Sequence, residues 1–581
     1  MVEETFQIKN YSFSQDAVDN LAISDHLEEN WPVVYQIYND SEIYIGETTN
    51  LKNRMNQHLA NAEKSSLRKG SVKVVFDKTF NKSAALDLES YLIQYFSGDG
   101  RYKVLNRNDG MQDSDYYRRR NYRKIFEEIW DRLHKLGVAD HTISEIRNSE
   151  IFKFSPYKNL NLEQMNVVSE ILQNLDEAIS NNKKSLSIIG GKYGTGKTIV
   201  IMYLAKLLVD LQMFDKSHDD IDDESKFTEF FKMEVINQRF KGKRIALVIP
   251  QPSLCERVRL IFRKIDLGNV DLQVFSPVTF ANSDGVFDIT LVDEAHLLKV
   301  GITGNMGRTV KEINKRLFND EKIHTELDWV MKKSKNVVMV FGSNQRIRPT
   351  NIVFDRDVKK FEKEFGMRDY TLYKQMRSEG GEEYIDYIDF VFSNGLHPAI
   401  KKEFNGFDTK LFLDIKKFVE AIKEKEEKYG LARMVAGFAW DWKTKDKKDH
   451  DSYDIDIDGV KLKWNSTQRN WIGSKNSKNE VGSIYTVQGD DLNYVGVIIG
   501  NELQYKRGRF VFNRKSYADK RAMSRSQRQV KEKEIISEED LLDQVLRVYR
   551  VLLSRGIKGA YIYACDEGLR KYLSKYFNVV K

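Results

Sequence analysis

The sequence predicts a multidomain α/β protein: a small α+β module at the N-terminus, followed by two doubly wound α/β lobes. Three observations predict it. At 581 residues the chain is too long for one hydrophobic core. From residue 185 onward, short β-branched apolar runs alternate with helical patterns, the order expected of buried parallel strands joined by helices. Residues 31–106 read differently, as a hairpin followed by two helices.

Hydrophobic residues make up 41% of the chain and charged residues 31%, the balance of a globular protein rather than a disordered one. No apolar run approaches the length that spans a bilayer, and Met1-Val-Glu-Glu4 does not open a signal peptide, so no membrane partner is expected. Two cysteines, Cys255 and Cys565, are too few and too far apart for a zinc ribbon or a disulfide framework, which points to the reducing cytoplasm. A net charge of +7 permits a nucleic-acid partner without demanding one, because clustering of cations matters more than their sum.

The α/β part is organised around one stretch. Gly191-Lys-Tyr-Gly194-Thr195-Gly196-Lys197-Thr198 fits G-x-x-x-x-G-K-[ST] at every position, between an apolar run ending in Ile188-Ile189 and a helical stretch from Ile199 to Leu208. The glycines let successive backbone N–H groups turn inward around phosphate oxygens, and the helix start adds partial positive charge. Lys197 is expected to reach the β- and γ-phosphates of ATP, and Thr198 to hold magnesium. Further strands are expected at 244–249, 288–292 and 337–341, with chemistry at their carboxyl ends. Asp293 and Glu294 follow the second of these. The aspartate suits a magnesium ion held through water, and the glutamate suits polarising an attacking water. Gln345, after the third, suits sensing of the γ-phosphate.

The C-terminal half repeats the α/β pattern without a second phosphate loop. Arg377 and Arg555 are candidate arginine fingers, and they bracket the loop Thr486-Val-Gln488-Gly489. Trp440, Trp442, Trp464 and Trp471 are candidates for base stacking or for packing. The tract from Lys506 to Arg528 is the most basic in the chain and is interleaved with Tyr505, Phe510, Phe512 and Tyr517, as a strand-binding surface or a solvated insertion would be. The run Arg118 to Lys124, ahead of an amphipathic helix, leaves the same two readings open.

In the N-terminal module, a hairpin turning at Asn39–Glu42 carries Tyr35 and Tyr44, and a helix follows with Arg54 and His58 one turn apart. A second helix carries Glu89, and Asn106 comes after it. Phenols and a guanidinium beside a carboxylate that can hold a divalent ion form a plausible hydrolytic set, although spacing alone does not establish one. With Tyr44-Ile-Gly46 intact, the order of these residues resembles the GIY-YIG endonuclease domain, Val33-Val34-Tyr35 standing where Gly-Ile-Tyr is usual. The resemblance implies that Tyr35 or His58 helps to deprotonate the attacking water, that Tyr44 orients it and that Arg54 stabilises the phosphorane-like charge. It implies also that Glu89 binds a single magnesium and that Asn106 braces the site.

The succession from Gln164 through the phosphate loop to Arg555 resembles superfamily 1 helicases. More closely, it resembles bacterial DNA/RNA helicases related to the Schlafen helicase-like domain, with Gly342-Ser343 where Gly-Asp is commoner. This resemblance implies two RecA-like lobes that hydrolyse ATP in the cleft between them while nucleic acid runs across both. Gln164 would read the adenine edge, Thr486 and Gln488 would couple the strand to the nucleotide, and Trp440 would lie on the nucleic acid. The expected divisions are a nuclease module over 1–112, a helical basic connector over 113–159, and lobes over 160–362 and 363–581. The expected function is an ATP-dependent DNA helicase or translocase coupled to a magnesium-dependent endonuclease, in bacterial anti-phage defence or DNA processing. An RNA-directed nuclease and an ATP-gated nucleic-acid sensor are the alternatives, and assembly with itself or with a partner protein stays open.

Overall fold

The computed structural model describes residues 6–19, 30–61, 64–106, 116–214, 234–263, 267, 269–301, 307–320, 322–342, 348, 350–393, 398–446, 452–467, 471–487, 490–520, 522–525 and 527–581. The chain divides into two units, one of Met1–Lys183, Thr198–Leu247 and Glu256–Val274, the other of Lys184–Lys197, Val248–Cys255 and Phe275–Lys581.

The first unit begins with β1 (Phe6–Ser12), α1 (Gln15–Asp19), β2 (Val33–Tyr38), β3 (Glu42–Thr48), α2 (Leu51–Ala60), β4 (Ser71–Asp77), α3 (Lys82–Asp99) and β5 (Lys103–Val104). The strands form one sheet in the order β1-β4-β2-β3-β5, antiparallel except for the β3-β5 edge. The hairpin β2-β3 turns where the sequence predicts, because the Asn39 carboxamide accepts the backbone N–H groups of Ser41 and Glu42. Alternate residues Val33, Tyr35 and Ile37 of β2 and Val72, Val74 and Phe76 of β4 share one face, which Leu51 and Met55 of α2 cover.

The segment expected to be a connector is part of this body. Helices α4 (Arg119–Lys135), α5 (Ile143–Asn148) and α6 (Glu150–Lys153) all pack on α3. Their seat is apolar: Phe126, Ile129, Trp130 and Leu133 of α4 are fully buried, and Ile146 and Phe152 close over Gly98, where a Cβ would stand 2.7 Å from one and 2.8 Å from the other. Arg119 and Arg123 pair with Asp87, and Tyr116 donates to the same carboxylate at 2.9 Å. Part of the basic run is therefore spent on the module itself rather than left for a phosphate backbone. Helices α7 (Leu162–Ser180) and α8 (Lys197–Met213) follow.

The second unit holds two sheets. In the first, β6 (Ser185–Gly191) lies between β10 (Ser334–Val340) and β11 (Met367–Leu372), and β10 pairs with β9 (Phe287–Val292), all in parallel. The ends of β7 (Ile245–Val248) and β8 (Leu272–Phe275) continue it, Asp293 N–H donating to the Val248 carbonyl and Ile249 N–H to that of Phe275. Strand β11, which follows the expected boundary at 362/363, runs beside β6 in this sheet.

The second sheet has the order β14-β15-β16-β13-β17-β20-β12-β21, built from β12 (Asp408–Phe412), β13 (Ala432–Ala436), β14 (Ile455–Ile457), β15 (Val460–Trp464), β16 (Glu480–Ser483), β17 (Leu492–Ile499), β20 (Gly556–Ala564) and β21 (Val579–Val580). Only β14-β15 is antiparallel. Successive residues of its central strands alternate between two cores. Val435, Val495, Val497 and Ile562 face the helices Gly381–Val391 and Glu538–Leu553, whereas Met434, Ile498, Tyr561 and Tyr563 face the helix Ile415–Tyr429. A parallel sheet buried on both faces is the doubly wound arrangement that the near-continuous apolar runs predict. A separate two-stranded ribbon, β18 (Leu503–Lys506) with β19 (Arg509–Phe512), follows β17.

Candidate nuclease and nucleotide sites

In the first unit, the residues that sequence order sets apart come together. Asn50 caps α2 by accepting the Asn53 N–H at 3.1 Å, and the helix then presents Arg54 and His58 on one face toward β2 and β3. Tyr35 is fully buried, and its hydroxyl lies 2.7 Å from His58 Nε2 and 3.3 Å from Arg54 Nε, which donates to it. Burial pushes the Tyr35 hydroxyl well above its ordinary value of 10.0, with Tyr44 acting the same way and Arg54 opposing both. Glu89 on α3 adds a smaller push in the same direction, which puts its carboxylate within electrostatic reach of the phenol.

Two backbone features hold this cluster. Gly46 gives Tyr35 its room: a Cβ there would stand 2.2 Å from the Tyr35 hydroxyl. Asn106 is buried and clamps β3 between Tyr44 and Gly46, its carboxamide donating to the Ile45 carbonyl at 2.8 Å and accepting the Ile45 N–H at 3.0 Å. One member has no signal in the sequence. The Lys64 ammonium sits 2.7 Å from His58 Nδ1 and 3.6 Å from the centre of the Tyr44 ring. It comes from the loop after α2, where no periodicity or motif marks it.

The second cluster lies at the carboxyl ends of the parallel strands of the first sheet, where such folds bind ligands. From β6 the chain enters the phosphate loop. Gly191, Gly194 and Gly196 have φ of +146°, +73° and +78°, the region that disfavours side chains. A Cβ on Gly191 would also meet the Leu372 carbonyl at 2.6 Å. Thr195 is buried and donates to the Lys192 carbonyl at 3.1 Å, and Thr198 is the second residue of α8. From β9 come Asp293, fully buried, and Glu294, in a left-handed conformation at φ +48°. His296 stands beside Glu294, its Nε2 3.4 Å from the carboxylate, and its Nδ1 accepts the Gly342 N–H at 3.3 Å. Burial brings this imidazole down to about 4, so it is neutral.

From β11 the chain delivers Gln375 and Arg377. The Gln375 carboxamide donates to the Tyr193 carbonyl at 2.7 Å and accepts the Arg377 N–H at 2.7 Å, which fastens this segment to the phosphate loop. Arg377 pairs with Asp491 and reaches the Ser554 carbonyl at 3.5 Å, beside Arg555. Three buried or half-buried cations thus converge. Burial brings Lys197 down to about 8, with Arg377 and Arg555 adding to the shift and Glu294 and Asp293 resisting it. Burial and Arg377 bring Arg555 down to about 10, and its Nε has no hydrogen-bond partner among the described residues. Crowded, desolvated cations beside a left-handed glycine loop fit a polyanion such as a nucleoside triphosphate. In the first unit, the half-buried Glu89 carboxylate supplies oxygen donors of the kind that a hard divalent ion takes.

A profile of the Schlafen group 3 DNA/RNA helicase domain matches residues 184–566, most of the chain. The chain belongs to this family. A profile of the GIY-YIG catalytic domain matches residues 32–103, so a nuclease-type domain precedes a Schlafen-type helicase domain in one polypeptide. An uncharacterized protein of the yeast Saccharomyces cerevisiae is 26% identical over 436 residues, which cover 70% of this chain and 88% of the relative.

Within the Schlafen-type domain and just ahead of it, several expected residues have other surroundings. Gln164 is buried at the third position of α7 and accepts the Asn161 N–H at 3.1 Å, closing a capping box. Thr486 is buried, and its hydroxyl donates to the Ser483 carbonyl at 2.8 Å. Trp464 and Trp471 are both 1% exposed, which makes them packing residues rather than base-stacking ones; Trp440 is half-buried with its ring edge-on to Trp464 at 6.2 Å. Gln345 and Gln488 lie outside the described residues. No described helix is long and apolar enough to cross a membrane.

Proposed function

We propose that this protein is an ATP-dependent DNA helicase or translocase of superfamily 1 type coupled to a magnesium-dependent endonuclease. The observation that carries the reading is the cation cluster. Arg377 and Arg555 both depress Lys197, and Arg377 depresses Arg555, across the ends of two parallel sheets, with Asp293 and Glu294 acting on Lys197 in the opposite sense. Lys197 would hold the β- and γ-phosphates, Thr198 and Asp293 would hold magnesium, and Glu294 would orient the attacking water. Arg377 and Arg555 would stabilise charge on the γ-phosphate. In the nuclease site, Arg54 would stabilise charge on the scissile phosphate, Tyr44 would orient the water, and Glu89 would hold the magnesium that lowers the cost of that charge. The working divisions are a nuclease module with α4–α6 packed on it, a first lobe that ends after β11, and a second lobe from there on.

Cleavage of supercoiled and linear DNA, with and without ATP, tests the reading with Glu89→Ala and Lys197→Ala beside the unchanged chain. Both substitutions are expected to remove ATP-dependent cutting, and cutting that survives Glu89→Ala would sink the nuclease assignment. The family's DNA/RNA description supports a second reading, in which RNA is cut. Cleavage of RNA but not DNA at matched salt would decide for it. A role against foreign DNA follows from joining a motor to a nuclease, and phage infection outcomes unchanged by loss of Lys197 or Arg54 would remove it.

A further inference from the structure

We propose that Lys64 is a positioning residue of the nuclease site: its ammonium holds His58 in the Nε2–H tautomer, so that the imidazole donates to Tyr35 rather than accepting from it. An ammonium carries three N–H donors and no lone pair. At 2.7 Å from His58 Nδ1 it can only donate, so Nδ1 carries the lone pair. Burial, Lys64 and Arg54 bring His58 down to about 2, which makes the ring neutral with a single proton. That proton is therefore on Nε2, 2.7 Å from the Tyr35 oxygen.

The consequence falls on Tyr35. Its oxygen accepts one N–H from His58 and a second from Arg54 at 3.3 Å. Its own O–H proton must point elsewhere, and negative charge developing on the oxygen finds two donors already in place. With the opposite tautomer, Nε2 would be a lone-pair acceptor and His58 the base toward Tyr35; the Lys64 contact excludes that arrangement. Lys64 is itself held from below by the Tyr44 ring, a cation–π contact that favours the charged ammonium. Of the two candidate bases, His58 and Tyr35, the geometry thus assigns His58 to donation.

The spectroscopic arm of the test stands without catalytic activity, whereas the rate arm rests on the nuclease reading above. In the full-length chain labelled with ¹⁵N-histidine, and with His58→Phe used for assignment, His58 is expected to show a protonated Nε2 and a bare Nδ1 at neutral pH. Lys64→Glu places an acceptor at Nδ1 and is expected to reverse the tautomer and to lower kcat for magnesium-dependent nicking at least about tenfold, with KM little changed. Lys64→Met removes the donor, and Lys64→Gln, which restores an N–H donor, is expected to recover most of the rate lost in Lys64→Met. A proton found on Nδ1 in the unchanged protein overturns the proposal. So does a loss in Lys64→Glu that appears in KM while the tautomer stays as it was, because Lys64 would then be a direct substrate contact.

Discussion

A methyl group at residue 46 would collide with the Tyr35 hydroxyl at 2.2 Å, and because Tyr35 is fully buried the phenol has nowhere to retreat. Gly46→Ala is therefore expected to displace Tyr35 from His58 and Arg54, to lower cutting by at least about a hundredfold and to lower stability by about 1–3 kcal/mol. Nicking assays and thermal unfolding check both, and the ATP hydrolysis proposed for the Lys197 cluster should be unchanged. Lys197 supports a prediction of another kind. Its folded pKa of about 8 lies below the ordinary value of 10.5, so between these values the unfolded chain holds a proton that the folded chain does not, and stability rises with pH across that window. A bound triphosphate reverses the shift, so ATP binding near pH 8 is expected to take up a proton. Binding enthalpies in two buffers of different ionisation heat measure it, and an uptake that persists in Lys197→Met would assign the proton to another group. These residues were legible in the sequence because Tyr44-Ile-Gly46 and the phosphate loop compress their chemistry into consecutive positions. Lys64 was not, since its partners are chosen by where a loop folds, and the capping role of Gln164 shows that a residue at the right place in the order can have its oxygen claimed by the backbone.

The ribbon β18-β19 shows the same limit at the level of an element. Its sequence mixes cations with aromatics, which reads equally as a base-stacking surface. In the structure Phe510, Phe512 and Tyr517 are buried, and Tyr505 stacks on Tyr572 with ring centres 4.1 Å apart, so the aromatics anchor the ribbon to its own domain. The cations have the opposite fate. Arg507 and Gly508 turn the ribbon with φ of +51° and +79°, the double left-handed turn that matches strand twist, and Lys506, Arg507, Arg509, Arg514 and Lys515 are exposed. Arg528, at the end of the tract, is instead committed to a bidentate pair with Asp357. A rigid ribbon with a cationic turn suits phosphate contact rather than base stacking. Replacing Lys506, Arg507 and Arg509 together by glutamine is expected to weaken binding of all nucleic-acid sequences alike and to reduce the salt dependence of log K by about 2 to 3. An unchanged salt slope would mean that the turn is merely solvated.

For the whole molecule, the fold class and the order of the modules were legible because hydrophobic period and glycine punctuation carry them locally. Which sheet or body a segment joins was not. Strand β11 follows the expected boundary yet pairs with β6, because a parallel strand is claimed by whichever sheet edge its crossover reaches, and α4–α6 join the nuclease body because their apolar faces complete α3. The Tyr35 cluster falls in the first unit, and Lys197, Arg377 and Arg555 fall in the second. That separation makes coupling testable. Arg555→Lys keeps the charge but loses the planar fork that can reach two phosphate oxygens, so it is expected to slow ATP hydrolysis at least about tenfold while ATP still binds. If the motor's work is to present single strand to the nuclease, this variant should fail on long linear duplex but cut a short, already opened junction at the unchanged rate. Equal losses on both substrates would instead mean that nucleotide state gates the nuclease itself, and equal retention would mean that the two activities share a chain without sharing a task.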